Sequence, residues 1–469
     1  MRLATLLLSV VLLPTTAASA AGTHIPQAAF DTAAQLREQA LADDTAWNLV
    51  ESLTTEIGPR LPASEADARA VAWAQAKLRA LGYDRVWTEP VGFPTWERHS
   101  EHAEVLGTHA QPLLVTALGG SPGGTVEAEI VRFDSIDALR AAPEGSLAGK
   151  IAFIDQPMER TRDGSGYGKA GAVRSRGPSE AIRRGAVGFL MRSIGTSPHR
   201  VTNTGITRFD EDLEPVPSAA LSLPDADQLA RLLQRGPVQV RLALDCGWTG
   251  AEYTSHNVIG EITGREAPQE VVLIGAHLDS WDLGTGAIDD ASGIGITMAA
   301  GRLIGQLPQR PRRTIRVVAF ANEEQGLIGA REYARRHADE VTNHVIAAES
   351  DFGAGRIYGF NTGAPEHAQA ATRRIAEALA PLGIEHLPGK GGPGPDIVPL
   401  AAIGGAWAWL GQDGTDYFDL HHNADDTLDK IDPAALAQNV AAYAVFAWLA
   451  AEAEGDFGSA PKAPAGANE

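Results

Sequence analysis

Hydrophobic and polar positions change their spacing twice along this chain. Between residues 28 and 80 the pattern is helical: Ala42, Ala46, Leu49, Val50 and Leu53 recur at steps of three and four. The turn-rich stretch 54–62 (TTEIGPRLP) interrupts it, and an Ala-rich helix is expected over about Ser64–Leu81, closed by Gly82. From about residue 100 to 248, strand-like runs (Val126–Phe133, Lys150–Ile154, Val187–Met191) alternate with loops rich in Gly, Pro, Ser and Arg. From about residue 252 the order becomes strand, loop, helix, repeated. Val271–Gly275, Ile315–Phe320 and Val345–Glu349 are continuous apolar runs, as in strands covered on both faces. Helices are expected at about Ala291–Leu307, Leu327–His337, Pro365–Leu379 and Pro433–Ala453, two of them opening on a proline that suits the first helical position. This alternation predicts an α/β fold with a mostly parallel mixed sheet flanked by helices. Functional sites in such sheets lie beyond the carboxyl ends of the strands. The stretch after Gly455 (DFGSAPKAPAGANE) is low in complexity and expected to be disordered.

Bulk properties narrow the function. A chain of 469 residues is too long for one ordinary domain. Its formal charge of −20 excludes a nucleic-acid partner, which requires a basic surface. Arg2, the apolar run Leu6–Leu13 and Ala18-Ser19-Ala20 form a signal peptide, 1–20, cleaved after Ala20, so the product is expected to be secreted or periplasmic. That run is too short for a membrane anchor, and no later segment reads as a span. Cys246 is the only cysteine, which rules out an internal disulfide and leaves core burial and metal to hold the fold.

Five metal-ligand-type residues fall in chain order at expected strand ends: His277, Asp289, Glu324, Asp351 and His422. Two histidines and three carboxylates, one of them shared, are what two zinc ions about 3.5–4 Å apart require. His277 ends an apolar strand, and Asp279 points the same way, where its carboxylate can fix the imidazole tautomer. Asp289 follows just before a helix and has two oxygens, enough to bridge two cations. Glu323 and Glu324 follow a buried strand; one can bind metal while the other stays free as a general base. Asp351 lies past another strand end, with Glu349 the alternative ligand; in DLHHNADDT, His422 is the ligand and His421 the alternative.

The motifs GAHLDSWDLGTGAIDDASG, ANEEQG, AAESDFG and DLHHNADDT, in this order, resemble the co-catalytic zinc aminopeptidases related to the glutamate carboxypeptidases and the transferrin receptor. The resemblance implies a zinc-exopeptidase (phosphorylase/hydrolase-like) fold and two zinc ions per chain. It assigns His277 and Asp351 to one zinc, Glu324 and His422 to the other, and Asp289 to both. Glu323 becomes the general base, Asp279 the partner of His277, and Asp289–Asp290 a cis peptide. The loop Gly389–Pro399 resembles a substrate-pocket loop in which Asp396 meets a free α-amino group. One departure is Asn423, where many relatives have Thr or Ser.

LAGKIAFID, EAIRRGAVGFLM and VPSAALSLPDADQLARLL resemble a protease-associated (PA) domain, commonly inserted as a lid. The implied organisation is a catalytic domain in two parts, 21–99 and 249–455, with the lid at 100–248 and a tail at 456–469. The expected activity is hydrolysis of dipeptides or short peptides with a free N-terminus; on a dipeptide, aminopeptidase and carboxypeptidase cleave the same bond. Two other classes share the fold. A receptor-like binding protein would have lost ligands, and none is lost; a mono-zinc glutaminyl cyclase has no use for both the glutamate doublet and a bridging aspartate. The partner is thus a peptide substrate. The family often forms homodimers, a property on which this sequence is silent. Similar N/O sites also accept cobalt or manganese.

Overall fold

The three apolar runs of the C-terminal half become adjacent strands, His344–Glu349, Ala267–His277 and Arg313–Phe320, paired in parallel in a computed structural model that describes residues 22–462. The expected signal peptide lies outside the described residues. The ladders pair Phe320 with His277 and Glu349 with Gly275, so the three carboxyl ends share one rim. Side chains alternate across these strands as period two demands. Val272 and Ile274 join one apolar core with the helices Gln27–Leu41, Ser292–Gly305 and Pro433–Glu452. Val271 and Leu273 join another with the helices Ile328–Arg336 and Val398–Ala402.

Pro433–Glu452 corrects one expectation. By length and composition this helix is apolar enough to cross a membrane, but it is a core helix whose most apolar window is 89% buried. Its Tyr443 and Phe446 are fully buried, and Trp448 donates to the Ala29 carbonyl at 2.9 Å.

Two long strands, Arg85–Val105 and Gln239–Ile262, run antiparallel from Arg85↔Glu261 to Val105↔Val240. At one end of this ribbon, Gln239–Ile262 pairs antiparallel with Arg313–Phe320; at the other it pairs antiparallel with Gly124–Phe133. Beyond that come the parallel strands Ile151–Ile154, Gly188–Arg192 and Ser218–Leu221. One eleven-stranded sheet results, and it is mixed rather than mostly parallel, because the ribbon joins two parallel sets through antiparallel pairings. The boundaries expected at residues 100 and 248 both fall inside the ribbon, within continuous strands. Residues 100–248 contribute to two further apolar clusters, one around Phe153 and Leu190 that also takes in Trp96 and Trp281, and another around Ile154 and Phe189.

The tail is a second correction over residues 456–462; residues 463–469 lie outside the described residues. Phe457 is fully buried, and the Ala460 and Lys462 amides donate to the carbonyls of Gly404 and Ile403. A single aromatic docked in the core orders a stretch whose composition alone suggests none.

Candidate metal centre

Each donor is delivered by a different element, and the shared rim brings them together. His277 ends its strand, and its Nε2 lies 3.0 Å from Asp289 Oδ1 and 3.4 Å from Asp351 Oδ1. His422 Nε2 lies 2.9 Å from Glu324 Oε2 and 3.3 Å from Asp289 Oδ2. The two oxygens of Asp289 therefore face opposite histidines. The peptide bond after Asp289 is cis, as the resemblance implies. Asn322 and His422 adopt left-handed backbone conformations, at φ 52° and 59°, and turn the chain sharply at both glutamate and histidine motifs.

Asp279 differs from its expected role. His277 Nδ1 faces the main-chain carbonyl of Asp279 at 3.0 Å, while the carboxylate stands 3.7 Å away. That carboxylate instead accepts the backbone N–H of Glu323 at 3.1 Å and of Glu324 at 3.3 Å. The residue fixes the imidazole with its backbone and the glutamate doublet with its side chain.

The alternative ligands lie close by. His421 stacks on His422, ring centroids 3.5 Å apart, with Nε2 at 3.7 Å from Asp289 Oδ2. Glu349 accepts the Asp396 amide at 2.8 Å. Asp396 itself is buried behind the glycine-rich loop, with neither carboxylate oxygen hydrogen-bonded; Gly391 to Pro395 line the cavity in front of it. The cavity measures about 550 Å³ and also exposes Glu323, Glu324, Asp351 and His422.

Several contributors were not legible in the sequence. Asp290 accepts the His277 amide at 3.2 Å and the Gly293 amide at 3.0 Å, tying the strand end to the next helix. Asp426 accepts the amides of Ile288 at 2.6 Å and Asp289 at 3.2 Å. Its place in the motif around His422 was the available signal. Arg60 is fully buried under the loop before Asp289, donating to the carbonyls of Gly58, Leu278, Thr285 and Gly286. Nothing in TTEIGPRLP marks it. Residues 203 and 204 also reach the centre: the Thr204 carbonyl lies 3.2 Å from His422 Nδ1, and Asn203 Nδ2 donates to the His421 carbonyl at 2.6 Å. Trp281 packs edge-on against Trp96 and tilts over His422, and Gly119 must lack a side chain because a Cβ there would stand 2.1 Å from the Trp281 ring.

The electrostatics call for cations. Burial pushes the carboxyls of Asp290 and Glu323 well above their usual range, with the neighbouring Asp351 adding to it. Burial opposes charge on His277 too, yet Asp351, Asp279 and Asp289 carry it well above the usual imidazole range. Burial brings the Arg60 guanidinium down to about 10 and the Asp426 carboxyl up to about 7. Asp289 Oδ2 and Glu324 Oε1 are buried without hydrogen bonds, which is costly unless a cation meets them. The sets His277–Asp289–Glu324, His277–Asp290–Asp351 and Asp289–His421–His422 each bring donor atoms within 4.8 Å of one another. The N/O donor set therefore fits a divalent metal such as zinc.

Comparison with known proteins agrees with this geometry. The sequence profile of Peptidase family M28 matches residues 257–447. Carboxypeptidase Q of Bos taurus is 32% identical over 418 residues, spanning 88% of this chain and 86% of the relative. Carboxypeptidase Q of Mus musculus is 33% identical over 405 residues, spanning 85% and 84%. The crystal structure of a Peptidase M28 precursor from Shewanella amazonensis SB2B superposes with a TM-score of 0.89 at 48% identity, covering 93% of this chain and 99% of that one. A zinc aminopeptidase from Bacillus subtilis shares the fold, with a TM-score of 0.63 at 20% identity and coverage of 86% and 94%. With relatives matching nearly its whole length and a donor cluster suited to a divalent metal, the chain belongs to peptidase family M28 and is a metallopeptidase.

Proposed function

We propose that this protein is an exported di-zinc exopeptidase acting on dipeptides or short peptides with a free N-terminus. The observation that carries the reading is the placement of Asp289 between the two histidines, one oxygen toward each. His277 and Asp351 would hold one zinc, Glu324 and His422 the other, with Asp289 shared. When bound, zinc supplies Lewis acidity that polarises the scissile carbonyl and acidifies water. Glu323, which lines the cavity and whose carboxylate has no hydrogen-bond or ion-pair partner among the described residues, takes a proton from the attacking water and delivers it to the leaving amine. Asp279 aims this base by holding its backbone N–H.

The substrate's free α-ammonium faces the carboxylate wall, where Glu349 lines the cavity and Asp396 lies behind the loop with both oxygens unpaired. The inserted unit acts as a lid that limits the cavity to small peptides, its Thr204 and Asn203 joined to the histidine motif. Export rests on the signal-like residues 1–20.

The test is hydrolysis by purified protein of a dipeptide panel, each free and N-terminally blocked, before and after chelation, with Glu323→Gln alongside. Turnover of free dipeptides that stops on chelation, and Glu323→Gln binding zinc normally with turnover reduced about 100-fold or more, support the reading. Equal turnover of blocked substrates, or activity after complete metal removal, overturns it.

A further inference from the structure

The cavity carries one basic side chain that the chemistry above does not use. Arg174, on the helix Ser165–Ile182, lines the same cavity as His421 and His422. Its Nη1 donates to the Thr204 carbonyl at 3.2 Å and its Nη2 donates to the Tyr167 hydroxyl, while Nε is buried without a partner. Both acceptors are neutral. Arg160 and Arg192 each meet an aspartate, whereas Arg174 meets no carboxylate among the described residues. A partly buried guanidinium that lines a cavity and has no counter-ion is a receptor for an anion.

Its position says which anion. The Thr204 carbonyl that accepts from Arg174 also lies against His422 Nδ1, so guanidinium and imidazole flank one oxygen. One extended residue spans about 3.5 Å. Arg174 and His422 line one cavity, so a substrate held with its scissile carbonyl beside His422 and ending one residue on can offer its carboxylate to Arg174; a longer peptide has a neutral amide at that place. Glu349 and Asp351 line the same cavity, so it offers complementary charge to both ends of a zwitterionic dipeptide. Gly205, at φ +137°, gives the guanidinium room: a Cβ there would stand 2.4 Å from Arg174 Cζ.

We propose that Arg174 receives the free C-terminal carboxylate of the substrate and makes the enzyme a dipeptidase. This rests on the peptidase reading above and specifies its substrate. The experiment compares kcat/KM for a set of dipeptides with that for their C-terminal amides, in the wild type and in Arg174→Gln, Arg174→Lys and Gly205→Ala. The wild type is expected to prefer the acid by about ten- to hundredfold, chiefly through KM, as for a hydrogen bond between charged groups. Arg174→Gln brings the ratio toward one, Arg174→Lys keeps part of it, and Gly205→Ala lowers it with the arginine intact. Equal use of acid and amide by the wild type, or an unchanged ratio in the Arg174 variants, overturns the carboxylate site while the peptidase reading stands. Hydrolysis of neither substrate by the zinc-loaded wild type overturns the peptidase reading itself. Should Arg174→Gln not fold, the wild-type ratio and Arg174→Lys decide.

Discussion

The carboxylate of Asp279 accepts the backbone N–H of Glu323 at 3.1 Å, two residues after a strand whose last side chain, His277, leans on the Asp279 carbonyl at 3.0 Å. One residue thus couples the histidine to the glutamate doublet. Asp279→Asn puts an amide N–H₂ against a backbone N–H and loosens the turn bearing Glu323 and Glu324. The expected result is a folded protein whose zinc affinity or kcat falls about 10–100-fold, read by chelator competition and dipeptide turnover. Unchanged values would show that the turn holds itself.

Asn203 and Thr204 should be needed for metal binding. Asn203→Ala removes the hydrogen bond to the His421 carbonyl and frees the neighbouring Thr204 carbonyl from its place against His422 Nδ1. Zinc titration should show one of two ions weakened by about tenfold or more, with the other little changed. Uniform weakening of both would point to a global effect instead.

Arg60 should matter for stability more than for chemistry. It satisfies four main-chain carbonyls and stands near the buried carboxylates of Asp426, Asp279, Asp290 and Asp289. Arg60→Leu leaves those carbonyls unpaired and is expected to cost about 3–5 kcal/mol. Arg60→Lys recovers part of this, because a point charge cannot reproduce the planar fork. The check is the urea midpoint of the metal-free protein; a shift of less than about 1 kcal/mol would contradict the assignment.

A pH effect is expected far from the metal centre. His344 accepts from the Tyr333 hydroxyl at 2.8 Å, and Tyr333 is in turn bonded by Arg316. Burial, with the Arg316 guanidinium adding to it, holds the His344 imidazole down to about 3. In the unfolded chain its pKa is about 6.5. Between these values the unfolded state binds a proton that the native state refuses, so stability is lost as pH falls below about 6.5 and is fully present above it. His344→Gln should flatten the wild-type decline by up to about 1.4 kcal/mol per pH unit in that window. Parallel curves for the two proteins would refute this.

Legibility in the sequence followed how local the signal was. His277, Glu324 and Asp351 were readable because each ends or follows an apolar strand, and the chain order of the motifs carried the rest. The ribbon Arg85–Val105 was hidden although Val91 and Phe93 alternate inward, because Pro90 and Pro94 break the pattern of a strand. Pro94 sits beside a register shift, where a missing N–H is tolerated. Thr204 and Asn203 contribute through a backbone oxygen and a contact 218 residues away in sequence, for which side-chain identity gives no warning. Asp396 was picked for its loop, and in the turn Pro395–Ile397 it is buried with neither carboxylate oxygen hydrogen-bonded.

The central claim is that Asp289 is shared by two zinc ions, and anomalous scattering at the zinc edge from crystals of the zinc-loaded protein tests it most directly. The account predicts two peaks flanking the Asp289 carboxylate, one beside His277 and Asp351, the other beside Glu324 and His422. A single peak, or two peaks with Asp289 touching neither, would contradict it.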